Sequence, residues 1–275
     1  MTKALVKPTW AIVEPRERYD LRIATHLNSH RLSRFRKCPR LFRIGPDTPL
    51  WRSEPIALVI GRAFHALMLE GTEAFDREFI VGGPINPKTG KAYGRTSAIY
   101  KQWVEASGRV ALDDETAALL ARMEVAVRSS PHATALLAHG LPEVTVLGRI
   151  EGVDCQARID WVHWTGRAEG GAIVDLKTCG DLDEFEQTAH LRGYIHQLAF
   201  YRAVVESASD LVLPCRLVAV EKRAPVRCGV WHVDAELLAR ADDENRAAVR
   251  RLAECRRLDE WPTGFEAPRQ LSLQN

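Results

Sequence analysis

The sequence predicts one α/β domain with a helical N-terminal half, and three observations carry that expectation. Residues 143–178 read as strand, turn, strand, loop, strand, with side chains alternating at period 2. The flanking segments 28–43, 55–70, 183–207 and 235–257 place apolar residues at helical spacing. No repeat, low-complexity linker or break in composition divides the 275 residues.

Composition narrows the class. Hydrophobic residues make up 46% of the chain, enough for a sizeable core, and a net charge of +2 excludes both a disordered and a uniformly basic protein. The charge is unevenly placed, however. His30–Arg43 (HRLSRFRKCPRLFR) carries a run of lysines and arginines and no acid, which suits an anionic ligand. The six cysteines are scattered without a CxxC pair, so the expectation is a reduced, cytoplasmic protein with free thiols. No apolar run approaches the roughly 18 residues that argue for a membrane span.

Taken in order, residues 1–26 show weak periodicity and read as an irregular arm. From Asn28 to Arg43, Leu32, Phe35, Cys38 and Phe42 share one helical face with arginines around it. This is either a solvated basic face or a phosphate-contacting helix. Pro55–Glu70 predicts a mostly buried helix stopped by Gly71. On it, Gly61 suggests close backbone approach, and His65 lies one turn further along the same face. Phe79–Val81 is a short strand. The stretch Gly82–Ser97 (GGPINPKTGKAYGRTS) is a long loop that lacks the ending of a phosphate-binding P-loop. Helices are expected at 96–107, 114–129 and 131–138, with Asp113 or Asp114 as cap of the second.

Strands at 143–151 and 153–164 turn near Glu151–Gly152, and a third covers 172–178. In the third, Ala172, Val174 and Leu176 point one way; Ile173, Asp175 and Lys177 point the other. A helix over 183–207, with a break expected near Gly193, aligns Tyr194, Gln197 and Tyr201 on one face. Strands at 214–221 and 226–233 and a long amphipathic helix at 235–257 complete the domain. Its bounds are read as 28–264, between an arm at 1–27 and a tail at 265–275.

Asp160 interrupts the second strand, and Asp175 and Lys177 end the third. Two acids and a lysine on paired strands are costly to desolvate unless a metal or substrate uses them. Hard oxygen donors without a Cys/His cluster favour Mg²⁺ or Mn²⁺ over zinc. Such a site suits phosphodiester hydrolysis, with a buried structural ion-pair network as the rival reading.

The pattern Asp160 … Asp175-Leu176-Lys177 resembles the PD-(D/E)XK nuclease signature. His65 in GRAFH, and the QxxxY of Gln197 and Tyr201, resemble the subgroup with RecB-type and RecE-type nucleases. IGRAFHALMLEG, GGPINPKTGKAYG, ARIDWV…AIVDLKT, HLRGYIHQLAFY and VAVEKRAPV together resemble the RecE-like exodeoxyribonuclease VIII domain over residues 28–262. The resemblance implies a restriction-endonuclease-like core, a mixed sheet flanked by helices. It implies catalytic roles for His65, Asp160, Asp175 and Lys177. A metal would be held by His65, Asp160, Asp175, the Leu176 carbonyl and Glu143. Gln197, Tyr201 and Tyr194 would contact DNA or brace the site.

The activity so implied is Mg²⁺-dependent 5′ to 3′ exonucleolysis of linear double-stranded DNA from its ends, leaving 3′ single-stranded tails for recombination. A homo-oligomeric ring and a single-strand annealing recombinase as partner are implied with it, in a bacterial or phage setting. An iron–sulfur cluster, as in a related subgroup with a cysteine where Cys38 stands, is not expected, because Cys215, Cys228 and Cys255 are widely spaced. The alternatives are a structure-specific endonuclease on the same fold and a non-catalytic DNA-binding or assembly protein. A small-nucleotide phosphohydrolase lacks a nucleotide-binding motif.

Overall fold

A computed structural model describes residues 7–45, 55–166 and 171–270. The outermost parts of the expected arm and tail, 1–6 and 271–275, lie outside the described residues. The helices are α1 (Arg16–Leu21), α2 (Ser29–Lys37), α3 (Pro39–Ile44), α4 (Ile56–His65), α5 (Thr72–Glu78), α6 (Ala98–Ser107), α7 (Asp114–Arg128), α8 (Pro131–Leu137), α9 (Phe185–Arg192), α10 (Tyr194–Ser209) and α11 (Ala235–Leu258). The strands are β1 (Phe79–Val81), β2 (Val110–Leu112), β3 (Gly140–Ile150), β4 (Val153–His163), β5 (Ala172–Cys179), β6 (Cys215–Glu221) and β7 (Cys228–His232). The short β1 and β2 pair in parallel, and β3 to β7 form a five-stranded sheet in chain order. Only the β5–β6 pair of that sheet is parallel. A parallel pair needs a crossover, and α9 and α10 supply it.

The sheet is covered on both faces, so the expected mixed sheet flanked by helices is what forms. One core lies under α2, α3, α10 and α11, with Phe35, Phe200, Val204 and Leu252 against Val146, Ala157 and Ile173. The other lies under α4 and α7, with Phe64, Leu120 and Met123 against Val174, Leu176 and Val218. On β5, Ala172, Val174 and Leu176 thus face α4 and α7, while Ile173 and Cys179 face α10, as the alternation predicts. Among the described residues no helix is long and apolar enough to cross a membrane.

Several local expectations hold for physical reasons. Asp113 caps α7, accepting from Thr116 N at 2.8 Å. Gly193 separates α9 from α10 with a left-handed φ of 74°. The β3–β4 turn puts Glu151 and Gly152 both at positive φ, the conformation of a tight hairpin. Others need correction. The single helix expected over 28–43 is two, because Cys38 is extended ahead of Pro39 and proline disfavours the helical region for its predecessor. The last turn of the 55–70 helix is a π-turn, Ala66–Glu70. The arm is not irregular throughout: it contains α1, and Ile12 pairs with Thr145 of β3 while Leu27 pairs with Cys155 of β4.

Two glycines behave differently from one another. A Cβ on Gly61 would lie 3.5 Å from Thr178 Oγ1, an ordinary contact, so the close approach expected there is not required by α4 packing on β5. On Gly148 of β3 it would lie 2.8 Å from the Val204 carbonyl of α10, where nothing can give way. Gly61→Ala is therefore expected to stabilise by roughly 0.5–1 kcal/mol through helix propensity. Gly148→Ala is expected to destabilise by about 1–3 kcal/mol through overpacking. Urea denaturation of both variants checks the pair, and equal destabilisation would contradict the packing described.

Candidate active site

The site lies where β4 leaves β5. The two strands pair only over Trp161–His163 and Ala172–Val174, and the next step of that register would join Asp160 to Asp175. There the ladder stops, and a side chain takes the backbone's place: Asp160 Oδ2 accepts from Leu176 N at 2.9 Å. The fork leaves the Asp160–Leu176 edge open to α4 on one side and α10 on the other.

A second irregularity aims the acids. Glu143 stands opposite Asp160 in the β3–β4 register, between the pairs Pro142↔Trp161 and Val144↔Ile159, and has a left-handed φ of 48°. On its two sides the alternation reverses. Val144, Val146, Ala157 and Ile159 face the α10 core, but beyond the step so do Leu141 and Val162. Such backbone costs on the order of 1–3 kcal/mol for a non-glycine residue and persists where surrounding structure fixes it.

His65, at the end of α4, reaches this point from the opposite layer. Its Nδ1 lies 3.6 Å from Asp160 Oδ2. One ligand atom each from His65, Glu143 and Asp160 falls within 4.8 Å of the others, the group among the described residues with that property. Burial pushes the His65 imidazole below its usual range, with Lys177 adding to the effect, which favours the neutral ring that a metal ligand requires. Burial raises Glu143, and the neighbouring Asp160 charge raises it further. Burial, then the Asp175 charge, pushes Asp160 up to about 7. Two carboxylates that resist their charged forms in isolation are what a divalent cation would relieve, and a neutral imidazole stands beside them as a ready ligand.

Asp175 adds its charge to that trio, acting on both Asp160 and His65. It is fully buried at 0% exposure; Lys177 meets its Oδ2 in an ion pair, while Oδ1 has no hydrogen-bond donor among the described residues. A buried carboxylate oxygen without a donor is expensive, and a hard cation is a partner that fits it. The donor set of imidazole, carboxylates and the adjoining Leu176 backbone suits Mg²⁺ or Mn²⁺.

Lys177 is braced from α10. Its Nζ donates to Gln197 Oε1 at 3.2 Å and lies 4.8 Å from the centre of the Tyr194 ring. Gln197 Nε2 in turn donates to Tyr201 Oη at 2.8 Å. Tyr201 is 6% exposed, packed behind the Gln197 side chain that holds Lys177. Burial alone would lower the Lys177 ammonium, but Asp175 and Asp160 outweigh it and hold the group above the ordinary lysine range.

The residue that sequence reasoning missed is Arg158, whose Nε donates to Glu143 Oε2 at 2.6 Å. Its signal was available in ARID, since strand alternation puts residues two apart on one face.

A family model described as a PDDEXK-like domain of unknown function (DUF3799) matches residues 31–268. Among solved structures, the crystal structure of a putative exonuclease from Eubacterium rectale is similar with a TM-score of 0.65, covering 96% of this chain and 96% of that one. The two sequences are 15% identical, so that likeness speaks for the fold. No curated protein matches the sequence. With its forked sheet, its D-x-K strand and a match over nearly its whole length, the chain belongs to the PDDEXK-like family, within the PD-(D/E)XK nuclease superfamily.

Proposed function

We propose that the protein is a divalent-metal-dependent exonuclease that degrades linear double-stranded DNA, 5′ to 3′, and leaves 3′ single-stranded tails. The observation that carries the reading is the cluster of His65, Glu143 and Asp160 ligand atoms beside the fully buried Asp175, which pairs with Lys177 and whose Oδ1 has no donor among the described residues. His65, Glu143, Asp160, Asp175 and the Leu176 carbonyl would hold Mg²⁺ or Mn²⁺. When bound, such an ion polarises a phosphoryl oxygen and makes a bound water acidic enough to attack. Lys177, beside Asp175 and held by Gln197, would activate or position the attacking water and offset charge gathering on the phosphate. Gln197 and Tyr194 fix its ammonium, which limits the geometries in which it can donate.

A basic surface supports a nucleic-acid substrate. Arg31 and Arg256 both lie over Phe42, at 4.5 and 5.8 Å, and Arg251 lies 5.9 Å from the centre of the Phe35 ring. Burial, then repulsion from Arg256 and Arg34, holds Arg31 below the usual arginine range, so these cations crowd one another. Lys37, Arg40, Arg251 and Arg256 make no ion pair among the described residues, which leaves them for phosphates. The ring-shaped oligomer and the annealing partner rest on the RecE-type resemblance, and light scattering on purified protein addresses the former. The endonuclease and the non-catalytic binder are the competing readings.

End-labelled linear duplex should be digested with Mg²⁺ and not with EDTA, while a covalently closed circle survives. Asp175→Ala and Lys177→Ala should each lower the rate by more than about 10²-fold with far-UV circular dichroism unchanged. Cutting of the circle would establish the endonuclease, and wild-type digestion by either variant would refute the site.

Metal affinity without DNA should rise with pH. Asp160 titrates near 7 and must lose its proton to bind, so affinity climbs up to about tenfold per pH unit below 7 and levels off above it. Mn²⁺ titrations at pH 6, 7 and 8 read this directly, and a pH-independent affinity would count against Asp160 as a ligand. Replacing Lys37, Arg40, Arg251 and Arg256 by alanine should reduce the salt dependence of duplex binding by roughly 0.9 in slope for each phosphate that the variant leaves unneutralised. An unchanged slope would remove this surface from the DNA path.

A further inference from the structure

Arg158 joins the candidate metal donors to a segment that the family match does not reach. That match begins at residue 31. Arg158 lies two positions before Asp160 on β4, and its side chain is 12% exposed. Besides the bond from Nε to Glu143 Oε2, its Nη1 donates to the main-chain carbonyl of Glu14 at 3.4 Å. The Glu14 carboxylate forms an ion pair with Arg22. Arg22 Nε donates to Gln156 Oε1 at 3.3 Å, and Gln156, fully buried, donates to the Tyr19 carbonyl at 3.2 Å.

The same segment is tied into the sheet. Ile12 exchanges both backbone hydrogen bonds with Thr145, at 2.9 Å each, on the outer side of β3. Leu27 bonds to Asp154 and Gln156 on β4. Residues 12–27 therefore clasp the β3–β4 hairpin that carries both Glu143 and Asp160, and Trp10, Ala11 and Leu27 are buried in the core beneath α10.

We infer that Arg158 is a positioning residue for Glu143, and that through it residues 12–27 belong to the scaffold of the metal site. The inference rests on the metal-dependent reading proposed above. Glu143 leaves the strand with left-handed backbone, and Arg158 is the hydrogen-bond donor that its carboxylate has among the described residues. A buried ion pair is weak evidence for stability, so the Arg158–Glu143 bond is read for the geometry it imposes on the carboxylate. Two roles for the guanidinium differ in sign. A bystander cation beside a divalent site repels the ion, so its loss would tighten metal binding. A positioning cation aims a ligand, so its loss weakens binding.

Isothermal titration of Mn²⁺ into the DNA-free full chain separates them. Arg158→Met should raise Kd by roughly 10- to 100-fold, the range for groups that orient metal ligands. Arg158→Lys cannot serve both Glu143 and Glu14 and should also weaken binding; it carries the same reading if Arg158→Met does not fold. Arg22→Met, whose side chain touches no metal donor, should weaken binding several-fold with circular dichroism unchanged. Adding Arg158→Met to Glu143→Gln should weaken binding little beyond Glu143→Gln alone, because the two act as one unit. Wild-type or tighter binding by Arg158→Met, or additive effects in the double variant, would overturn the inference. Wild-type protein that binds no Mn²⁺ would sink the metal-dependent reading itself, whereas those variant outcomes leave it standing.

Discussion

The hydrogen bond from Leu176 N to Asp160 is the interaction on which the rest of the structure turns. In a continuous sheet that N–H would meet a strand carbonyl, and β4 would run on beside β5. A carboxylate in that place ends the ladder without leaving the amide unpaired. The strands then part, and the gap admits groups from both helical layers. His65 comes from α4 on one face, Lys177 with Gln197 from the α10 face, and Glu143 from the neighbouring strand. One bond thus both satisfies the backbone and creates the opening that the candidate chemistry needs.

Electrostatics around the fork divide the labour among similar side chains. Asp160 and Glu143 are pushed toward their neutral forms by burial and by neighbouring acids. Lys177 is held charged by the acids beside it. A hard cation would reverse the first effect and compete for the acids that sustain the second. Arg158 anchors Glu143 on the side away from Lys177's brace on α10, so the two cations of the site have separate supports.

Much of this was legible in the sequence, and what was not has definite physical causes. Period-2 alternation placed Asp175 and Lys177 together on β5, and helical spacing joined Gln197 to Tyr201. Those inferences depend on regular geometry, which both elements keep. Glu143 defeats such reasoning, because its left-handed φ reverses the alternation of β3 and nothing in the residue type announces it. The break at Cys38 was readable from Pro39 but was masked by the apolar face shared across it. Arg158 was readable as the strand neighbour of Asp160, while its link to Glu14 depends on tertiary packing of a segment with weak periodicity.

The clasp of residues 12–27 around the β3–β4 hairpin bears on more than one ligand's orientation. An edge strand with free amides and carbonyls is a template for pairing with other chains. Along β3, the stretch near Thr145 is the part that Ile12 closes off. The segment that steadies Glu143 is thereby also a guard against association through that edge. Its release would expose backbone and loosen the acid in one event, so self-pairing and loss of the site would share a cause.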